Sequence, residues 1–292
     1  MASDREEVWV EVGFRLVDVF GTGPFSGNQL CVVPEGSGLD DRTMRLLACE
    51  IGFSETTFVT RASGHRYAMR IFTPGGELPF AGHPSLGTAF VLVSEGCVAS
   101  PAVQVVAAGE FPVDVDLAAS RASLTAVPGP LGPAVDRARA AAAAGLAEDD
   151  LDPYLAPRVA SAGLPFLIVP VRDAGAVARA RAGEPALGPL LAEVGADGLY
   201  LLARVGEGGF RARMFDATLG IGEDPATGAA ALAAGAYFLA QGSAGRSVIR
   251  QGEELGRPSV LEVEASQDPP RISVAGQVHV VGEGRFLLRR WS

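Results

Sequence analysis

A chain of 292 residues that is 48% hydrophobic and 20% charged is globular, and its length suits two domains of ordinary size. The formal net charge is −10 with no basic cluster, which speaks against nucleic acid and anionic membrane as partners while leaving room for a local anion site. Cys31, Cys49 and Cys97, together with His65, His83 and His279, match no disulfide or zinc spacing, so no metal is expected and a reducing cytosol is. The charged start Met1-Ala-Ser-Asp-Arg-Glu-Glu7 and the lack of a run of roughly 18 apolar residues predict a soluble, cytoplasmic protein.

In chain order, the alternation from Val8 to Val19 predicts a strand, ended by the turn residues Gly21 to Pro24. Leu30 to Val33 predicts a second strand. Asp40 or Asp41 can cap a helix whose apolar positions Met44, Leu47, Ala48 and Ile51 recur at helical spacing, with Gly52 as its stop. Thr56 to Thr60 and Tyr67 to Phe72 predict further strands. Glu77-Leu-Pro-Phe-Ala-Gly82 then leads into His83-Pro84 and a helix from Ser85 to Val93 that is apolar nearly all round, hence buried rather than amphipathic. The Pro and Gly cluster near 120–135 predicts the linker, and the alanine-rich Arg137 to Leu146 predicts a plain surface helix.

The second half repeats the first. Glu223-Asp-Pro-Ala-Thr-Gly228 leads into a second all-apolar helix, Ala229 to Leu239. Matching Gly82 to Gly228, an offset of 146, also matches Glu77 to Glu223, Pro79 to Pro225 and Leu86 to Leu232. With three residues inserted, Arg70-Ile-Phe72 matches Arg213-Met-Phe215. Two halves, each with strands around one buried helix, follow from this pattern.

Each buried helix starts at a glycine-containing loop. Its unpaired N–H groups and partial positive charge suit a carboxylate or phosphate, although most helix starts bind only water. His83, at the first of these starts, is suited to donate to a substrate oxygen or carry a proton, or simply to pack. Asp224 fits two roles: an N-cap followed by Pro225, or a second carboxylate facing the same cleft. Glu55, in Ser54-Glu-Thr-Thr-Phe58 at a helix-to-strand junction, reads alone as an exposed glutamate. Gly21-Thr-Gly23-Pro-Phe-Ser-Gly27 is not the dinucleotide fingerprint, and neither a P-loop nor a serine-nucleophile motif is present.

Taken together, five segments resemble the phenazine-biosynthesis PhzF-like family. They are Asp18-Val-Phe20 with Gly27-Asn28, Ser54-Glu-Thr-Thr-Phe58, Phe72-Thr-Pro74 with Glu77-Leu-Pro-Phe-Ala-Gly-His-Pro84, Glu223-Asp-Pro-Ala-Thr-Gly228, and Gln251-Gly252 with Gly256-Arg-Pro-Ser259. The resemblance implies an α+β fold similar to diaminopimelate epimerase. Two pseudo-symmetric domains, 1–125 and 126–292, would each curl a barrel-like sheet around a central helix, and the last strand would return to the first domain. It also implies a cofactor-free isomerase and a homodimer. Glu55 would be the catalytic acid/base, with His83 and Asp224 beside it; Asn28, Gly82, Thr227, Gly228 and Ala229 would bind a small carboxylate between the domains.

The two thiols of cysteine-type epimerases correspond here to Ala81 and Pro225, which argues against two-thiol racemisation. The family commonly has Gly-Asn-Pro where this chain has Gly27-Asn28-Gln29, and often a serine where it has Ala229. A hydroxyl missing there removes a substrate hydrogen bond of roughly 0.5–1.5 kcal/mol. Two other functions remain open on the same scaffold: a two-base amino-acid epimerase using Glu55 and Asp224, and a catalytically silent binding protein.

Overall fold

The computed structural model describes residues 9–183, 185–217 and 222–289. Its first half is a closed ring of eight strands. Trp9–Val19, Asn28–Val33, Glu55–Ser63, Arg66–Phe72, Ala102–Val106, Gly109–Asp116 and Arg121–Ala126 pair in that order, and Pro270–Arg289 closes the ring against Arg121–Ala126 on one side and Trp9–Val19 on the other. The same last strand pairs with Ser259–Gln267, so it belongs to both sheets. From there the second sheet runs through Gly245–Gln251, Gly209–Phe215, Gly198–Arg204 and Pro165–Val171 to Arg158–Ser161.

Each sheet wraps one helix of 13 residues, Gly82–Ser94 in the first half and Gly228–Ala240 in the second. Nearly every residue of both helices is buried, as all-round apolarity requires. They share one hydrophobic core, which also takes in Phe20, Tyr67, Phe80 and Tyr200. The helix Asp41–Ile51 lies outside the first ring. Asp40 accepts a hydrogen bond from Thr43 N at 2.8 Å, and Gly52, in the left-handed region at φ 67°, returns its N–H to Ala48 O.

Two expectations need correcting. Arg121–Ala126 is a strand rather than linker, because Ala122, Leu124 and Ala126 alternate into the core; the Pro and Gly residues after it run along the edge strand, with Gly129 N and Gly132 N bonded to Ser161 O and Val159 O. The helix Arg137–Ala143 is no plain surface helix. Its Ala140, Ala141 and Ala143 are buried in a satellite core against Leu167, Leu191 and Leu201, where small side chains permit close approach. No helix among the described residues is long and apolar enough to cross a membrane.

Candidate active site

The half-chain repeat is a repeat of side-chain geometry. In the first half, Glu77–Leu78 pairs with Ile71 and Phe72; in the second, Glu223–Asp224 pairs with Met214 and Phe215. Arg70 grips Glu77 through Nε and Nη2 at 2.7 and 2.6 Å, and Arg213 grips Glu223 through the same atoms at the same distances. Each guanidinium also lies over the phenylalanine two residues on, at 5.0 Å for Phe72 and 4.7 Å for Phe215. These clamps fix the short strands that deliver the chain to the two central helices. Asp224 therefore sits in a strand, and the residue before the second helix is Thr227, which overturns the N-cap reading of Asp224.

The two helix starts abut. A Cβ added to Gly82 would lie 2.5 Å from Ala229 N and 2.7 Å from Gly228 C, so only glycine fits there. Neither start is capped by a side chain. Two positive helix ends with free N–H groups thus meet at one point, a disposition that a bound anion stabilises. Beside them lies a cavity of about 140 Å³. Its walls are Glu55, Leu78 to His83, Leu164, Phe166, Asp197, Met214, Asp224 and Thr227 to Ala229.

Glu55 begins its strand with its side chain turned inward, and the residue is 7% exposed, the reverse of the solvated glutamate expected from sequence. Its Oε2 lies 3.3 Å from His83 Nε2. The angles do not make this a hydrogen bond, and both atoms are buried without a partner among the described residues. Burial pushes Glu55 up to about 8, helped by repulsion from Asp224; the Ser54 hydroxyl, 3.2 Å from Asn28 Oδ1, pulls the other way. Burial likewise pushes His83 down to about 3, opposed by a hydrogen bond with the Gln29 backbone. Both shifts oppose ionisation, so Glu55 and His83 face each other as a neutral pair at pH 7, not as a salt bridge.

Asp224 is held differently. Asn28 Nδ2 donates to its Oδ1 at 2.8 Å and Thr227 Oγ1 to its Oδ2 at 2.5 Å. Burial raises it to about 6, and those two donors limit the rise. Both carboxyls are thus raised, and the donors on Asp224 make it the easier of the two to ionise. Asn28 Nδ2 also lies 2.9 Å from Ala226 O and 3.1 Å from His83 Nδ1, joining the two halves. Buried Gln251 completes the support, donating to Asp224 O at 2.8 Å and Thr227 Oγ1 at 3.1 Å.

Of the residues singled out by sequence, Glu55, His83, Asp224, Gly82, Thr227, Gly228 and Ala229 all line the cavity. Asn28 stands behind it, against His83 and Asp224. Phe80, Leu164, Phe166, Met214 and Asp197 were not foreseen. The repeat carried a signal for Asp197: the offset of 143 that matches Arg70 to Arg213 also matches Ser54 to Asp197 and Glu55 to Gly198, and the strand registers agree. Among the described residues no three His, Cys, Asp or Glu side chains gather to hold a metal.

Comparison with known proteins fits this geometry. The family model described as phenazine biosynthesis-like protein matches residues 17–284. An uncharacterized isomerase of Mesorhizobium japonicum is 33% identical, over 94% of this chain and 98% of that protein. A predicted epimerase from Pseudomonas aeruginosa superposes with a TM-score of 0.83 at 32% identity, covering 94% of this chain and 99% of its own. A probable proline racemase from Agrobacterium radiobacter shares the fold alone, with a TM-score of 0.63 at 15% identity over 94% and 92% of the two chains. The chain belongs to the phenazine biosynthesis-like PhzC–PhzF family of isomerases.

Proposed function

We propose that this protein is a cofactor-independent isomerase that moves a proton on a small carboxylate substrate held between its two halves. The observation that carries the reading is Glu55, a buried carboxyl raised to about 8 and unpartnered at Oε2, in a cavity whose floor is two uncapped helix starts. The substrate carboxylate would rest on the N–H groups at Gly82 and Gly228. The ionised Glu55 would take a proton from a nearby carbon while the C–H electron pair moves into the adjacent unsaturated system. The same carboxyl would then return the proton at another carbon, so atoms and charge balance without a co-reactant. A base with a pKa near 8 is strong enough to help and is still ionised in about a tenth of molecules at pH 7. Asn28 would position His83 and Asp224 together.

The connectivity favours one acid/base over two. Asp224 and His83 share Asn28, and His83 Nε2 lies 3.3 Å from Glu55 Oε2, so the three groups are close neighbours. A two-base epimerase needs its groups on opposite faces of one carbon. The missing hydroxyl at Ala229 argues for a substrate other than a phenazine precursor. The test is a screen of small unsaturated and amino carboxylic acids in heavy water. Deuterium entering substrate carbon with the wild type and not with Glu55→Gln supports the isomerase. Tight binding with no exchange supports a silent binding protein instead.

A further inference from the structure

The first and last of the five sequence segments, Asp18-Val-Phe20 with Gly27-Asn28 and Gln251-Gly252 with Gly256-Arg-Pro-Ser259, come from opposite halves of the chain. They meet at Arg257, which the proton-transfer scheme leaves unused. Arg257 Nε donates to Gly27 O at 2.6 Å, and its Nη2 donates to Asp18 Oδ1 at 2.6 Å and lies 3.2 Å from Ser26 O. Asp18 is 2% exposed, and its other oxygen accepts from Phe25 N at 2.6 Å. Two backbone bonds flank the guanidinium, Gly27 N to Pro258 O at 3.2 Å and Val260 N to Phe20 O at 2.8 Å. The gripped turn is tight: Gly27 has φ 77°, and a Cβ there would lie 2.4 Å from both Gly21 N and Val19 O. A planar guanidinium can hold several such acceptors at fixed angles, which an ammonium cannot.

The residue after Gly27 is Asn28, an amide of the first half that serves a carboxylate of the second. Ser54 Oγ donates to its Oδ1, which leaves Nδ2 to face Asp224 Oδ1, Ala226 O and His83 Nδ1. Its aim therefore depends on the register between the halves. The segment that carries Arg257 sets that register from the other side. Arg257 N bonds to Gly252 O at 3.0 Å, and Gly252 packs so closely on Pro225 that a Cβ would lie 2.5 Å from Pro225 O. Gln251, next in line, donates to Asp224 O. One stretch, 251–257, thus holds Asp224 at one end and the neighbour of Asn28 at the other. We infer that Arg257 is a positioning residue of the isomerisation site, and that its grip on Gly27 O sets the Asn28 amide against Asp224 and His83. This rests on reading the cavity as that site. A group misplaced there by about 1 Å can cost on the order of a hundredfold in rate.

The experiment uses the full chain with carboxyl-labelled aspartate, titrated by carbon NMR; the Asp224 signal is the one lost in Asp224→Asn. Arg257→Lys keeps a charge beside Asp18 but cannot hold Asp18 and Gly27 O together. Asp18→Asn removes the ion pair and leaves the bonds from Arg257 to Gly27 O and Ser26 O. Both variants weaken the contact between the halves, so both should lower the thermal midpoint. Glu55, Asp216 and Glu223, the acidic groups acting on Asp224, are unchanged in each. Losing a donor raises a carboxyl, so Arg257→Lys should move the Asp224 midpoint up by about half a pH unit or more. Asn28→Ala should do the same, the double variant should go no further than Asn28→Ala, and Asp18→Asn should leave the midpoint in place. On any acid that exchanges deuterium with the wild type, Arg257→Lys should lower kcat tenfold or more and change KM little. An unmoved Asp224 midpoint in Arg257→Lys makes the residue a plain staple and overturns the inference. So do equal shifts in Arg257→Lys and Asp18→Asn, a double variant that adds the two shifts, or an unchanged kcat. If no acid exchanges with the wild type, the isomerase reading falls, and the Asp224 midpoints alone decide for or against Arg257.

Discussion

Replacing Glu55 by glutamine should cost activity and add stability, with the two effects separable by pH. The substitution keeps the shape and removes the proton-accepting oxygen, so turnover should fall by a thousandfold or more, within the range of lost general acid/base groups. The stability effect follows from the proton that the folded state retains. In the unfolded chain Glu55 ionises near its ordinary 4.5, and in the fold near 8. Between those values the folded state binds more protons than the unfolded one, so wild-type stability is full below 4.5 and declines as pH rises to about 8. The window spans 3.5 pH units at about 1.4 kcal/mol each, roughly 5 kcal/mol as a ceiling, since the proton is shared with a coupled neighbour. Glu55→Gln has no such slope. Urea unfolding from pH 4 to 9 should show the two proteins nearly equal at pH 4 and the variant ahead by several kcal/mol at pH 9. Parallel curves at all pH values would refute the burial of Glu55, and near-wild-type turnover on a confirmed substrate would refute its role.

Because Glu55 must be ionised to act, kcat/KM of the wild type should climb tenfold per pH unit and level near 8; Asp224→Asn, which removes a repulsive neighbour, should move that inflection to lower pH. His83 titrates near 3 in the fold and 6.5 unfolded, so its contribution is complete above 6.5 and lost as pH falls towards 3. His83→Gln should flatten the acid limb of the stability curve by about 1.4 kcal/mol per unit in that window, as urea titration will show. Gly82→Ala drives a methyl into the backbone of the facing helix start, and should lower stability by about 1–3 kcal/mol and abolish carboxylate binding, measured by thermal melts and calorimetry.

What the sequence made legible was local or repetitive. The helix Asp41–Ile51 announces itself by Asp40 and Gly52, and the two central helices by apolarity on every side. Arg70, Phe72 and Glu77 recur as Arg213, Phe215 and Glu223 because the same clamp is built twice. What stayed hidden depends on residues far apart in the chain. Glu55 looks like a solvated residue until His83 and Asp224 close over it, and only the resemblance pointed to it as a candidate acid/base. Asp224 imitates an N-cap because Pro225 follows it, whereas the helix begins three residues later. The alanines of Arg137–Ala143 look like a surface preference for helix, yet they measure the space under a docked helix.

The repeat also shows where the halves stopped being equivalent, and that division bears on the chemistry. Both halves supply a glycine helix start, so a positive helix end is a symmetric property of the frame. Acid/base groups are not symmetric. The counterparts of Glu55 and His83 are Gly198 and Ala229, neither of which carries a titratable side chain, and the counterpart of Asp224 is Leu78. The cavity therefore takes Glu55 and His83 from one half, and Asp197 and Asp224 with Leu164, Phe166 and Met214 from the other. On the proposed scheme, with Glu55 as the one acid/base, the proton would leave and return on one face. Inversion at a single carbon would need Asp224 or Asp197 as the second acid, since the positions that answer to Glu55 and His83 hold glycine and alanine.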